Sequence, residues 1–166
     1  MIVFSPDGNS VLETIPLLAE KIRSGYDMVI ASRYKGAAKS YDDTAITHLG
    51  NKIFTNTISA LFGFRYTDAM VMFRAYRREV PEKLKLNVRR SAFYEKYFGR
   101  HVSWEPLMSI RAAKAGLRIA EIPSDEPKRI EEKKGRILLP SSRINHYKAG
   151  MACGLQLLEE FFRWKF

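Results

Sequence analysis

Short apolar runs that alternate with amphipathic helical stretches predict an α/β fold, a mostly parallel sheet with flanking helices. Three observations carry this reading. Ile2-Val3-Phe4 reads as the end of a buried strand, Val11, Ile15, Leu18 and Ile22 recur behind it at helical spacing, and Asp27-Met28-Val29-Ile30-Ala31 is a second short apolar run. Two strands joined through a helix need a crossover, so parallel pairing of the two runs is expected.

The remaining elements follow in order. Ser10, with Glu13 three residues on, predicts a capping box for the first helix, and Gly25 stops it. Residues 33 to 43 are polar, contain Gly36 and end in Asp42 and Asp43, which suits a loop capped into the next helix. Ile46, Leu49, Ile53, Ile58 and Leu61 mark that helix as amphipathic, ending near Gly63. Met70 to Tyr76 reads as a strand, whereas the basic stretch up to about residue 101 has no clear pattern. From Trp104 the spacing is helical again, with Leu107, Ile110 and Ala113 inward and Gly116 as the stop, before a strand over Leu117 to Ile122 closed by Pro123. A last helix aligns Met151, Leu155, Leu158 and Phe162, and Phe161, Trp164 and Phe166 crowd its tail.

A chain of 166 residues, 46% of them hydrophobic, buries one core and suggests one domain rather than two. The 28 Lys and Arg against 18 Asp and Glu give a net charge of +10, which favours anionic partners. Nucleic acid is not among those expected, because no recognition helix, stacking sheet or zinc-module signature accompanies the charge. Half of the excess sits between residues 128 and 148, which hold seven Lys or Arg and two Glu. The single cysteine, Cys153, excludes an internal disulfide framework and a Cys-rich zinc site, and points to a small core residue in a reducing compartment. No signal peptide is read at Met1, and no run reaches the roughly 18 to 20 apolar residues that span a bilayer. A cytoplasmic protein, peripheral on the membrane at most, is expected.

Four segments carry chemistry. Phe4-Ser5-Pro6-Asp7-Gly8-Asn9-Ser10, Ala31-Ser32-Arg33-Tyr34, the stretch from Thr67-Asp68 to Phe73-Arg74-Ala75-Tyr76, and Ala120-Glu121-Ile122-Pro123 occur in an order that resembles the family-2 glycosyltransferases of GT-A fold. The nearest branch is similar to the dolichyl- or polyprenyl-phosphate sugar transferases. The likeness covers about residues 2 to 130, as a partial catalytic domain, with residues 131 to 166 left as a basic linker and a carboxyl-terminal amphipathic helix.

The resemblance implies a partial GT-A (Rossmann-like) fold and transfer of a sugar from a nucleotide-diphosphate donor to a polyprenyl phosphate or a saccharide. It implies Mg2+ or Mn2+ at the first motif. There Ser5 stands at the first acidic position, Asp7 at the second, and Asn9 at a polar ligand position. A metal held by one carboxylate is completed by phosphate oxygens and water. Arg33 and Arg129 correspond to residues that grip phosphate, and Asp68 and Arg74 to a structural pair beneath the acceptor site. Glu105 is the candidate base or acceptor contact. A sugar hydroxyl needs a base, a lipid phosphate does not, and the alternative role of Glu105 is a charge at a helix amino terminus.

The family places a Rossmann-like half of roughly 80 to 100 residues, holding the donor base, before the metal turn; four residues precede it here. The resemblance therefore implies weak donor affinity, little or no turnover by this polypeptide alone, and exposed strand edges covered by a missing half or a second copy. The competing reading is a non-catalytic scaffold or binding module that keeps the fold. The basic segment followed by the Met151, Leu155, Leu158 and Phe162 stripe also suits an anionic membrane surface, against the alternative that this helix covers an edge of the sheet.

Overall fold

The computed structural model describes residues 1–86, 93–98, 104–129 and 146–163. Within them lie strands β1 (Ile2–Val3), β2 (Met28–Ser32), β3 (Arg74–Tyr76) and β4 (Ile119–Pro123). The helices are α1 (Thr14–Arg23), α2 (Ala45–Phe62), α3 (Val80–Lys83), α4 (Phe93–Phe98), α5 (Trp104–Lys114) and α6 (His146–Phe162). The α/β class holds. The short helices α3 and α4 fall in the stretch whose sequence showed no pattern.

The sheet runs β1-β3-β2-β4 and is mixed, which corrects the mostly parallel sheet expected. Only β2 and β4 pair in parallel, whereas β3 is antiparallel to both β1 and β2. The reason is the route into β3. Gly63, in the left-handed region at φ 80°, ends α2, and the irregular segment after it returns the chain to enter the sheet between β1 and β2. Those two strands keep a common direction through the α1 crossover but do not touch. The strand expected from Met70 begins only at Arg74.

β2 is the centre of the core. All five of its residues are at most 1% exposed, as a strand covered on both faces requires. Leu18 of α1 and Ile110 of α5 are fully buried beside it, and each such side chain contributes about 2 kcal/mol. The capping box expected at Ser10 is not formed; α1 starts after Glu13, which makes no side-chain cap. The cap of α2 is Thr44 rather than Asp42 or Asp43, in a reciprocal pair with Thr47.

The two long helices face opposite to simple amphipathic logic. α2 buries Asn51, Thr55 and Ile58, and leaves Ile46, Leu49, Ile53 and Leu61 exposed. α6 buries Gln156 and Glu160 beside Ala152, Cys153 and Leu157, and exposes Met151, Leu158, Phe161 and Phe162. Polar partners set these orientations. Thr55 accepts the backbone N–H of Ala69 and donates to Asn51, whose amide reaches Asp68. Glu160 pairs with buried Arg111 of α5 at 2.7 Å. α6 packs on α2, α4 and α5.

Candidate functional site

The carboxyl ends of β1, β2 and β4 and the approach to β3 meet at one end of the sheet, where α/β folds bind ligands. Ser32 closes β2 and Arg33 follows it. The Arg33 guanidinium donates twice to Asp68, at 2.6 Å from Nε and 3.1 Å from Nη2, and once to Glu126 at 3.1 Å from Nη1. Asp43 stands 4.0 Å away. Burial alone pushes this guanidinium towards losing its proton, but the charge and hydrogen bonds of Asp68, with Glu126 and Asp43, more than reverse that, so it stays above its ordinary value.

Asp68 is fully buried and needs this many donors. Glu121 of β4 fixes its backbone by accepting the N–H groups of Thr67 at 2.9 Å and of Asp68 at 3.0 Å, and the Thr67 hydroxyl at 2.7 Å. The Thr67 hydroxyl also lies 2.6 Å from the Ser32 hydroxyl, and Asn51 donates to Asp68 at 3.2 Å. The acid before Ile122-Pro123 therefore holds the loop that presents Asp68 to Arg33.

The first motif joins through Asn9, whose amide donates to Glu126 at 3.2 Å. Ser5, Asn9, Arg33 and Glu126 line a cavity of about 50 Å³. That is room for a water molecule or two, not for a nucleotide sugar. Asn9 and Arg33 thus share a cavity, but Asp7 does not line it. Asp7 lies 3.4 Å from Nε of Arg129, which is 2.9 Å from Asp42, and these approaches leave that Nε without an aligned hydrogen bond. Burial first, opposed by Arg33 and the Ser40 hydroxyl, raises the Glu126 carboxyl above its ordinary value.

Five carboxylates, those of Asp7, Asp42, Asp43, Asp68 and Glu126, thus surround two guanidinium groups in a chain whose net charge is +10. Both arginines are engaged by acids rather than poised open for phosphate. No group of three or more metal-ligating side chains occurs among the described residues. Hard oxygen donors are present at Asp7 and at the Asn9 amide, a set that suits magnesium only when phosphate and water complete it.

Arg74 and Glu105 form a separate buried group, which corrects the expected Asp68 to Arg74 pair. The Arg74 guanidinium donates to the carbonyls of Val71 and Glu105 and to the Ser109 hydroxyl. Burial lowers its proton affinity, and the Glu105 carboxylate opposes that more strongly than any other group. Glu105 is 6% exposed and lines neither this cavity nor the larger groove between α2 and α6.

That groove has a volume of about 660 Å³, within the range of small-molecule sites. Its walls are mostly apolar, with Phe54, Met70, Cys153 and Leu157 among them, and Arg33 and Asp43 stand in its wall. Sequence reasoning missed Glu126, Thr67 and Asn51. Glu126 had a signal, an acid three residues past the Pro123 strand end; Asn51 and Thr55 had one in their spacing on a single helical face. The sequence matches no family model and no curated protein.

Proposed function

We propose that this chain is the carboxyl-terminal part of a nucleotide-sugar-dependent glycosyltransferase of GT-A fold, transferring a sugar to a polyprenyl phosphate or a saccharide. One observation carries the reading. Four segments scattered from Phe4 to Pro123 converge at one end of the sheet, through Asn9 on Glu126, Glu126 on Arg33, Arg33 on Asp68 and Asp68 on Glu121. A fold that used these residues only as turns and caps has no need to join them.

In this reading Asp7 and Asn9 hold Mg2+ or Mn2+, which compensates the charge gained by the departing nucleoside diphosphate. Arg129 is the partner that can change hands, because it is partly exposed and loosely aligned on Asp7 and Asp42. It exchanges those acids for phosphate oxygens. Arg33 is held bidentately and orients the loop that carries Asp68. The acceptor is a polyprenyl phosphate, whose nucleophile is already ionised, or a saccharide hydroxyl, for which Glu105 is the candidate base.

Calorimetric titration with a nucleoside diphosphate sugar and manganese tests this. Metal-dependent binding by the parent protein and its loss in Asp7→Ala are expected. Unchanged binding in Asp7→Ala removes the assignment. The second reading, a non-catalytic module that keeps the fold, is favoured by the full engagement of Arg33 with carboxylates; absence of binding by the parent protein would select it.

A further inference from the structure

We propose that the Glu126 carboxylate is a built-in stand-in for a phosphate, closing the Asn9 and Arg33 end of the sheet until an anionic ligand displaces it. The contacts of its two oxygens carry the inference. Oε1 accepts the Asn9 amide at 3.2 Å, and Oε2 accepts Nη1 of Arg33 at 3.1 Å together with the Ser40 hydroxyl. An amide, a guanidinium and a hydroxyl thus converge on one anion, from the first turn and from the start and the end of the loop after β2. Phosphate oxygens take the same donors.

Arg33 does not need this acid. Asp68 already answers its charge with two hydrogen bonds, so Glu126 adds a further negative charge where burial opposes it. A carboxylate that served only to hold the fold gains nothing from that surplus. Glu126 is also within reach of a ligand, since its side chain is 12% exposed and lines the small cavity with Ser5, Asn9 and Arg33. Room for a phosphate comes from the carboxylate's own departure rather than from that cavity as it stands.

Only the side chain has to turn. The Glu126 N–H donates to the Lys39 carbonyl at 2.9 Å and its carbonyl accepts the Tyr41 N–H at 2.8 Å, so its backbone stays joined to the loop after β2. Three residues on, Arg129 reaches the same two segments with the opposite charge, at Asp7 in the first turn and at Asp42 in the loop. The chain itself thus supplies an anion to the donors and a cation to the acids. That the displacing anion is a phosphate rests on the glycosyltransferase reading; the stand-in rests on the contacts alone.

Calorimetric titration of the 166-residue protein with sodium pyrophosphate, without metal, tests the stand-in. Glu126→Gln keeps the shape and removes the charge. It should bind pyrophosphate about tenfold or more tighter than the parent, because apparent affinity is reduced by the fraction of time the donors are occupied. Ser40→Ala, which loosens the carboxylate without touching the guanidinium, should give a smaller gain in the same direction. Asp125→Asn removes the neighbouring exposed acid and should gain about twofold at most, because exposed charges are screened. Thermal melting checks that each variant is folded. Equal or weaker binding by a folded Glu126→Gln, an equal gain in Asp125→Asn, or no binding by the parent, Glu126→Gln and Ser40→Ala alike would each overturn the proposal. Should Glu126→Gln not fold, a folded Ser40→Ala without any gain overturns it too. Titration with a nucleotide sugar and manganese separates the two readings. A pyrophosphate gain without nucleotide-sugar binding keeps the stand-in and removes the glycosyltransferase, and Asp7-dependent nucleotide-sugar binding without that gain does the reverse.

Discussion

Two buried arginine–carboxylate pairs sit in different surroundings, and their contrast separates a site from a staple. Arg111 and Glu160 join α5 to α6 at 2.7 Å with side chains 1% and 2% exposed, and Nη1 of Arg111 donates to the carbonyls of Leu84 and Lys85. Arg33 and Asp68 join β2 to the loop before β3 at 2.6 Å, but Arg33 is 13% exposed and borders both cavities. The first pair is sealed in the interior, with Lys114 as a second cation 3.9 Å from Glu160. The second has spare carboxylates, Glu126 and Asp43, within reach. Access, not the pairing itself, distinguishes a region that can exchange ligands.

The contrast is broken most forcefully at Glu160. Glu160→Gln leaves Arg111, and Lys114 at 3.9 Å, facing a neutral group in the interior. Loss of one partner of a buried pair costs about 3–5 kcal/mol, to be read as a lowered urea midpoint. The same chemical change at Asp68 should cost less. Asp68→Asn keeps its shape, and Glu126 remains to answer Arg33, so a loss of about 1–2 kcal/mol is expected. Equal losses in the two variants would mean that the two regions are equally sealed.

A smaller effect tests dryness directly. Burial, and then the Glu105 carboxylate, push the Cys153 thiol up from 9.0 to about 11. Its raised value means that the folded chain favours the protonated thiol. The associated stability is fully present below pH 9.0 and is lost as pH rises towards about 11. Stability measured across that window should fall more steeply in the parent than in Cys153→Ala; identical slopes would show the thiol to be hydrated.

Much of the architecture was legible. The runs at Ile2 and Met28, the helical spacing behind Val11 and the Gly63 stop each carry a local signal, because apolar period and glycine conformation act within a few residues. The antiparallel entry of β3 was not legible, since strand order depends on where a long irregular segment returns, which no local pattern encodes. The orientation of α2 was also hidden. Its apolar stripe was evident, but Asn51 and Thr55 overrule it by satisfying Asp68 and the Ala69 N–H, so a few hydrogen bonds outweigh four exposed aliphatic side chains. In the site, the motifs grouped Asp7, Asn9, Arg33 and Arg129 on the donor phosphates; Asn9 and Arg33 meet through Glu126, and Asp7 and Arg129 stand together beside them. The motifs paired Asp68 with the wrong arginine, because two arginines stand at similar reach and only the path of the backbone chooses between them.

The placement of β3 also bears on how the chain acquires its shape. Ile2 pairs with Ala75, and Met28 with Tyr76 on one side and Ile119 on the other. No two strands that follow one another closely along the chain can zip together first, so each pairing closes a long loop before it returns any stabilisation. During synthesis the mostly apolar β2 therefore leaves the ribosome well before Ile119 to Pro123 exist to cover its second edge. Until then it is a sticky nascent segment, and this protein is expected to lean on trigger-type or Hsp70-type chaperones more than a helical bundle of equal length.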